Sequence, residues 1–361
     1  MNMKKNGTKL LAAVLCLMLL LSGCAQNSGV GGLGTTQPAD SAQGTGEEAV
    51  DDAKIHISGS YEEGALVVSD YFGYETKLSA LPERVAIVSG TPLNIWYDLG
   101  GKSVCTSEIA DGNLKLVEEC REEMLALPVV GAVYSLDMEA VVAQKPDLII
   151  TQAGVQTTQT ETLRNMGYAV ITVLPRSFDD VVDLYDAFGA ILGQEQKAQD
   201  KIETLSSARQ ALIDKAPAEG KSVVILYLTA SALSVKLDGS IAGDIANSLG
   251  IRNIASDLPP DTIGSENTPL DIEYIVAQNP DMVLVTSMIG SNELAVETME
   301  RHFADNQAWQ TVEAVAAGRV YYLPQEYFLY NAGPYYDEAV HYMACTVYPE
   351  IYGEVSEWYA E

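Results

Sequence analysis

Two stretches of the chain repeat each other over fifteen residues, and this repeat limits the possible folds more than any other pattern in the sequence. Residues 137–151 read DMEAVVAQKPDLIIT and residues 271–285 read DIEYIVAQNPDMVLV, so seven positions are identical. Each copy predicts a short helix, a proline that ends it, and a buried strand. Because so short a motif cannot fold alone, copies 134 residues apart indicate two whole lobes of similar topology.

The residues around both copies alternate between predicted strands and predicted helices. The strands cover residues 84–89, 148–151, 169–173, 222–228 and 319–323, and the helices cover residues 93–99, 158–165 and 242–249. Strands and helices that alternate at this spacing indicate parallel sheets with binding sites at the carboxyl ends of the strands. We therefore predict an α/β fold with two Rossmann-like lobes.

A single long helix is predicted between the two lobes. Residues 195–214 contain neither Gly nor Pro, and their apolar positions are spaced three or four apart. A helix of this length extends over about 30 Å. The predicted domains are an N-terminal lobe over residues 54–192, an interlobe helix over 193–216 and a C-terminal lobe over 217–361.

The N-terminus carries a targeting signal. Lys4, Lys5 and Lys9 precede twelve apolar residues, a length that suits the core of a signal peptide but not a transmembrane helix. The following Leu21-Ser22-Gly23-Cys24 resembles a bacterial lipobox, in which the cysteine is acylated and becomes the mature N-terminus. We predict a lipoprotein signal peptide over residues 1–23; a plain secretory signal with an incidental cysteine is the alternative. Residues 24–53 are almost free of large apolar side chains, so we predict a flexible linker.

The charge balance is strongly acidic. Lys and Arg total 21 and Asp and Glu total 50, which gives a net charge of −29, or −32 once the three lysines of the signal are removed. Nucleic acids and anionic membrane surfaces attract basic proteins, so we expect neither as a partner. His56, His302 and His341 are the only histidines, and so few histidines do not support a metal site.

Cysteine usage leaves one question open. Without Cys16 of the signal and with Cys24 acylated, three cysteines remain, and an odd number cannot define a disulfide framework. Cys105 and Cys120 are close in sequence and form the best candidate pair outside the cytoplasm. Ordinary buried thiols are the alternative.

The sequence contains no motif of a common catalytic site. We find no G-x-S-x-G elbow, no P-loop, no H-E-x-x-H and no C-x-x-C. We therefore predict that the chain is not an enzyme. An extracellular lipoprotein enzyme on the same two-lobed fold is the alternative from another class, and a purely structural surface protein is a third.

Several segments together resemble a known family. The lipobox, Pro82-Glu83-Arg84-Val85 at the first strand, the paired Pro-Asp motifs and the Gly318-Arg319-Val320-Tyr321 segment are similar to those of substrate-binding lipoproteins of ABC importers. The resemblance is to the iron-siderophore, haem and cobalamin class, whose two α/β lobes are joined by one long helix (a class III periplasmic-binding fold). It implies a monomer, lipid-anchored outside the cytoplasm, that captures an iron chelate and delivers it to an ABC permease with a cytoplasmic ATPase. A corrinoid is the alternative ligand, and no cofactor or resident metal is implied.

Candidate ligand-binding residues come from the loops that follow predicted strands. Ser89, Gly90 and Thr91 follow the first strand, and Tyr134 and Thr268 precede the two copies of the repeat. Arg176 follows the strand over residues 169–173 and is suited to pair with a ligand carboxylate; an ion pair with Asp179 or Asp180 is the alternative. Tyr227 lies late in a strand, where it faces either the cleft or the core.

The C-terminal region is rich in tyrosine: ten of the nineteen lie between Tyr321 and Tyr359. Tyr327, Tyr330 and Asn331 follow a predicted strand, so we place them on a loop that reaches the cleft. Tyrosine offers stacking area, a hydrogen bond and, as the phenolate, a ferric ligand. The alternative is that most of these tyrosines pack around the last helix, predicted over residues 336–348.

Permease contacts are implied by the resemblance alone. In this family a carboxylate on the outer face of each lobe docks on arginines of the permease. Glu161 and Glu293 follow the two repeat strands and are the candidates. The repeated acids Glu139 and Glu273 are expected instead to cap or pair within their own lobes.

Overall fold

The computed structural model of the chain describes residues 57–62, 64–109, 114–329 and 333–355. The predicted signal peptide and linker, the predicted lipidation site Cys24 and the candidate ligand contacts Tyr330 and Asn331 lie outside the described residues. Within the described ranges, no helix combines the length and the apolar character needed to cross a membrane.

A small antiparallel sheet precedes the first lobe and was not predicted from the sequence. Its strands are β1 (Ser58–Glu62), β2 (Ala65–Ser69) and β3 (Glu75–Leu78), paired in that order. Every residue of β1 is exposed, whereas β2 is largely buried against the lobe.

The N-terminal lobe alternates strands and helices, as predicted. In chain order these are β4 (Val85–Ile87), α1 (Gly90–Asp98), α2 (Arg121–Leu125), β5 (Gly131–Ala132), β6 (Ser135–Leu136), α3 (Met138–Ala143), β7 (Leu148–Gln152), α4 (Thr157–Asn165), β8 (Val170–Val173) and α5 (Phe178–Leu192), with a 3₁₀ turn at Glu118–Cys120. Strands β4, β7 and β8 form a parallel sheet in that order, and β5 and β6 form a short hairpin.

A single helix, α6 (Glu195–Ile213), leads from this lobe to the next and matches the helix predicted over residues 195–214. A second connection comes from side chains. The backbone N–H of Phe178 and the hydroxyl of Tyr336 both donate to the carboxylate of Asp244, at 3.2 and 2.5 Å. Because Phe178 begins α5 and Asp244 belongs to the C-terminal lobe, the two lobes are held together at more than one point.

The C-terminal lobe contains a mixed sheet. Its elements are β9 (Ser222–Thr229), β10 (Leu233–Lys236), α7 (Ile241–Ser248), β11 (Arg252–Asn253), β12 (Asn267–Pro269), α8 (Ile272–Gln278), β13 (Met282–Met288), α9 (Asn292–Asp305), α10 (Glu313–Ala316), β14 (Val320–Tyr322), α11 (Gln325–Phe328), α12 (Tyr336–Val347) and α13 (Pro349–Tyr352), with 3₁₀ turns at Gln307–Thr311 and Gly333–Tyr335. Strands β11, β9, β13 and β14 are parallel, as predicted, and the antiparallel strands β10 and β12 extend the sheet beyond β9.

Each copy of the repeat builds the same helix–strand unit. Asp137 and Asp271 cap α3 and α8, because each side chain accepts hydrogen bonds from backbone N–H groups of the first turn at 3.0 Å. Lys145 and Asn279 occupy the same position of the motif, and both have a positive φ (52° and 42°) that ends the helix before the proline. The expectation that Glu139 and Glu273 act as caps is wrong for the helix starts, where the aspartates take that role.

The aspartate after each proline fixes the amino end of the neighbouring strand. The Asp147 carboxylate accepts hydrogen bonds from the backbone N–H groups of Glu83 and Arg84, at 2.7 and 2.9 Å, just before β4. The Asp281 carboxylate accepts hydrogen bonds from the backbone N–H and the hydroxyl of Ser222, both at 2.7 Å, at the start of β9. The Pro-Asp pair therefore sets the register of the central strands in both lobes.

The contribution of Asp281 to stability is expected to depend on pH. Its pKa lies below the ordinary value of 3.8, chiefly because its carboxylate accepts the backbone hydrogen bond of Ser222. A carboxyl group whose pKa is lowered by folding stabilises the fold at pH values above its pKa in the unfolded chain. This stabilisation is lost as the pH falls through its pKa in the folded protein. Asp281→Asn is therefore expected to cost about 1 kcal/mol at pH 7, a modest figure because the side chain is exposed, and less at about pH 2.5. Urea unfolding at both pH values measures the loss in the free energy of unfolding, and Asp257→Asn, at an exposed position, is the control. An equal loss at both pH values would contradict the prediction.

The cysteine question is settled in favour of thiols. Cys105 is buried and Cys120 is partly buried, and the two do not form a disulfide. Burial raises the pKa of the Cys105 thiol to about 11, so this side chain is protonated at neutral pH.

Trp96 belongs to the core of the N-terminal lobe: it is 1% exposed and packs edge-to-face on Phe188, with ring centroids 5.3 Å apart.

Candidate functional site

A cleft with a volume of about 260 Å³ opens at the carboxyl ends of β4, β7 and β8. Its lining combines apolar walls with a few polar groups: Ser89, Gly90, Thr91, Ser107, Glu108, Ile109, Leu114, Ala132, Val133, Tyr134, Gln152, Val155, Pro175 and Leu329. Such a mixture is typical of small-molecule sites, in which a few fixed polar groups orient an otherwise apolar ligand. Of these lining residues, Leu329 alone belongs to the C-terminal lobe.

The end of the β4–α1 loop and the first turn of α1 form one wall, which contains the candidate residues Ser89, Gly90 and Thr91. The Ser89 hydroxyl donates a hydrogen bond to the side-chain oxygen of Gln152, at the end of β7. Gly90 lies close to Leu114: a Cβ atom there would lie 2.5 Å from a methyl group of that leucine. The absence of a side chain at position 90 therefore lets the two walls meet.

The hairpin of β5 and β6 carries Tyr134 to the cleft. Gly131 begins the hairpin with φ of 104°, and a Cβ atom there would lie 2.6 Å from the carbonyl oxygen of Ser135, so only glycine fits. The Tyr134 side chain is 57% exposed, and its hydroxyl lies 3.2 Å from the sulfur of Met288. Partial burial, with a smaller contribution from the charge of Glu266, raises the pKa of Tyr134. The phenol is therefore protonated at neutral pH.

Gln156, which sequence reasoning missed, holds this region together. It is fully buried, and its side-chain nitrogen donates to the carbonyl oxygens of Val88 and Val133, at 2.6 and 3.1 Å. Its side-chain oxygen accepts a hydrogen bond from the backbone N–H of Gln152 at 3.0 Å. One amide thus joins the ends of β4 and β7 to the hairpin. The loop after the strand over residues 148–151 was the only sequence signal for Gln152 and Gln156.

Arg176 contacts the C-terminal lobe. Its guanidinium Nε lies 3.4 Å from the Glu266 carboxylate, and another nitrogen donates to the carbonyl oxygen of Gly264 at 3.0 Å. The side chain of Asp180 instead accepts the backbone N–H of Arg176 at 2.9 Å, and the guanidinium pairs with Glu266 across the lobes.

Tyr227 and Thr268 lie on the sheet of the C-terminal lobe and do not line the cleft. Tyr227 is partly buried near the end of β9, and the amine of Lys236 lies 4.0 Å from the centre of its ring. Thr268 is 4% exposed within β12. Lys236 is itself 4% exposed and forms an ion pair with Glu266. Burial lowers the pKa of Lys236, an effect that the charge of Glu266 opposes.

Tyr327 lies in α11 and is buried, so its placement on a cleft loop is wrong. Its hydroxyl donates to the Glu338 carboxylate at 2.7 Å and lies 3.0 Å from the amine of Lys115, which also pairs with Glu338. Lys115 follows the cleft residue Leu114. This cluster therefore connects a cleft loop of the N-terminal lobe to α11 and α12.

The two candidate docking carboxylates are both exposed. Glu161 lies on α4 and Glu293 in the first turn of α9. The pKa of Glu293 is lowered, mainly by a hydrogen bond between its carboxylate and the Ser291 side chain and to a lesser extent by one from the backbone N–H of Glu293 itself. This acid is therefore charged at neutral pH. Across the described ranges, no three metal-ligating side chains lie close enough together to hold a metal ion.

A family model described as "periplasmic binding protein" matches residues 85–327. The matched span begins with β4 and ends within α11. It therefore contains α6, most of both lobes and every residue that lines the cleft except Leu329.

Two curated proteins are similar over part or most of the chain. The uncharacterized ABC transporter substrate-binding lipoprotein YvrC of Bacillus subtilis is 23% identical over 301 residues, which cover 80% of this chain and 87% of that protein. The vitamin B12-binding protein of Salmonella typhimurium is 25% identical over 164 residues, which cover 45% of this chain and 59% of that protein.

A solved structure has the same fold. The crystal structure of S. aureus IsdE complexed with haem superposes with a TM-score of 0.63 at 19% sequence identity, and the match covers 73% of this chain and 98% of that one. The two-lobed arrangement with a single connecting helix is therefore shared with a solved protein.

Proposed function

Since the chain belongs to the periplasmic binding protein family, we propose that it is the substrate-binding lipoprotein of an ABC importer. It captures an iron chelate, either a ferric siderophore or haem, in the cleft and delivers it to the permease. The observation that carries this proposal is the cleft itself, which lies at the carboxyl ends of three parallel strands. Membership of a family of binding proteins also agrees with the prediction that the chain is not an enzyme.

The chemistry of the cleft supports a ligand with a large apolar surface and a few polar groups. Ile109, Leu114, Val155 and Leu329 supply apolar contact, and Ser89 and Thr91 supply hydroxyl groups nearby. The Tyr134 phenol adds an aromatic face and a protonated hydroxyl at the open side of the cleft. The similarity to a haem-bound protein supports this class of cargo, and the similarity to an ABC transporter substrate-binding lipoprotein supports the role in transport.

The remaining candidate residues take different parts in this proposal. Ser89, Gly90, Thr91 and Tyr134 contact the ligand directly, whereas the buried Thr268 and Tyr327 lie outside the cleft lining. We propose acylation at Cys24, which anchors the protein outside the cytoplasm, and docking of a monomer through Glu161 and Glu293. The cargo is the only metal-containing group involved.

Titration of the purified protein with candidate ligands tests this function. Ferric hydroxamate and catecholate siderophores, haem and cobalamin are added in turn, and intrinsic fluorescence is followed. Saturable quenching by a siderophore or by haem at sub-micromolar concentration is expected. Saturation by cobalamin alone would favour a corrinoid, the ligand suggested by the Salmonella relative. No response to any of them would refute the metal-chelate proposal.

Tyr134→Ala is expected to weaken binding of a ferric siderophore by about tenfold, because aromatic side chains contribute strongly to contact surfaces. The matched control is Tyr61→Ala, since Tyr61 is equally exposed (61%) but lies on β1, outside the cleft lining. Dissociation constants for both variants come from the same titration. An equal effect of both substitutions would show that Tyr134 has no special part in binding.

A further inference from the structure

Two side chains of the N-terminal lobe reach across to the C-terminal lobe beside the cleft. The Tyr134 hydroxyl lies 3.2 Å from the sulfur of Met288, and the Arg176 guanidinium lies 3.4 Å from the Glu266 carboxylate. We call these four residues the clasp. Arg176 also donates to the carbonyl oxygen of Gly264, so the clasp holds both a side chain and a loop of the opposite lobe.

Both attachments of the clasp end in one network on the C-terminal lobe. The Tyr227 hydroxyl lies 3.6 Å from the same Met288 sulfur, and its ring lies beneath the Lys236 amine. Lys236 in turn pairs with Glu266, so a single carboxylate faces two cations. Because Lys236 is almost fully buried, Glu266 is held in place from its own lobe and offers Arg176 a fixed partner.

The clasp borders the space available to a ligand. Tyr134 lines the cleft, and Arg176 directly follows the lining residue Pro175. The cleft volume of about 260 Å³ is below the range of about 300–1,000 Å³ that is usual for sites enclosing drug-sized molecules. A ligand larger than this volume would extend toward Tyr134, which lines the cleft, and toward Arg176, which borders it, while both contact the other lobe.

We propose that the clasp sets an upper limit on ligand size in this cleft. A small ferric chelate enters with the clasp closed, and a macrocyclic ligand binds only to molecules whose clasp is open. The apparent affinity for the macrocycle is then reduced by the fraction of molecules in the open form. This inference rests on the proposed function and concerns the selectivity of the same site.

Arg176→Gln tests the clasp, because it removes the bridging charge and keeps the Lys236–Glu266 pair. Haem serves as the large probe and ferric citrate as the small one, each titrated into the purified protein. The variant is expected to bind haem about three- to tenfold more tightly and to associate faster, with ferric citrate affinity unchanged within about twofold. Met288→Leu, which removes the thioether on the opposite lobe, should shift haem binding in the same direction.

The matched control is Arg252→Gln, which changes the net charge equally. Arg252 is exposed on β11 and pairs with Ser222 at the amino end of β9, away from the cleft. Weaker haem binding by Arg176→Gln would show that Arg176 contacts the ligand and would overturn the size limit. Equal changes for both probes, or the same change in the control, would also overturn it.

Hydrogen exchange without ligand separates the clasp from the proposed function. Backbone amides of residues 261–267 are expected to exchange faster in Arg176→Gln than in the unaltered protein. Unchanged exchange would overturn the clasp whichever probes bind. Faster exchange in a protein that binds neither probe would overturn the size limit and leave the four residues as an interlobe contact only, whereas the proposed function is refuted only if the siderophores and cobalamin also fail to bind.

Discussion

Replacing Asp70 with asparagine is expected to lower the free energy of unfolding by about 3–5 kcal/mol, the usual cost of breaking a buried ion pair. Asp70 is 0% exposed and pairs with Arg164, whose side chain is 15% exposed. One carboxylate oxygen accepts the backbone N–H groups of Phe72 and Tyr74, and the other accepts that of Thr172, each at 3.0 Å. The carboxylate therefore joins the small antiparallel sheet to β8.

Asparagine keeps the size of the side chain but replaces one acceptor oxygen with a donor and removes the charge that Arg164 faces. Urea unfolding at neutral pH measures the loss. Asp257→Asn is the control, because Asp257 is exposed, and it should change the free energy by no more than about 0.5 kcal/mol. A loss below about 1 kcal/mol for Asp70→Asn would mean that water compensates for the missing carboxylate.

Replacing Gln156 with alanine is expected to lower the free energy of unfolding by about 2–4 kcal/mol, since several buried backbone groups lose their partner at once. Truncation leaves the carbonyl oxygens of Val88 and Val133 and the N–H of Gln152 without this amide. The hairpin that carries Tyr134 is released at the same time. We therefore expect the affinity for the cleft ligand to fall together with stability.

The comparison variant is Gln278→Ala, because Gln278 is exposed at the end of α8 and lies outside the cleft lining. Urea unfolding and ligand titration are run on both variants at a temperature at which both are folded. Stability that falls while affinity is retained would show that the hairpin keeps its place without Gln156. If neither quantity changes, ordered water must replace the amide.

The two lobes were predictable because several residues of the repeat begin or end its helix or fix the start of a neighbouring strand. The aspartate caps and the helix-ending Lys145 and Asn279 act on backbone groups within the motif, whereas the aspartate after each proline binds the strand that the same lobe places beside it. Hydrophobic periodicity then located α6 and the strands β4, β7, β8, β9, β13 and β14 to within three residues, but not the short strands β5, β6, β10, β11 and β12. The small sheet β1–β3 was missed, since its closure depends on Asp70, whose partners Arg164 and Thr172 are about a hundred residues away.

The candidate site was only partly predictable for the same reason. Ser89 and Tyr134 follow or flank strands, and the structure brings them to one cleft. Arg176 has two acids close by in sequence, yet its guanidinium pairs with Glu266. That choice depends on how the lobes meet, which periodicity does not encode. Tyr327 was misplaced because α11 is a single turn, too short to leave a repeating apolar pattern.

The unequal share of the two lobes in the cleft has a kinetic consequence. Among the described residues that line the cleft, Leu329 alone comes from the C-terminal lobe, so separating the lobes would remove little of the described surface that touches a bound molecule. Cargo would remain seated on the N-terminal lobe after separation, and its escape rate would be set by that one wall. Under the proposed function, handover to an acceptor would then require more than opening, since the acceptor would have to loosen the loops that carry Ser89 and Tyr134.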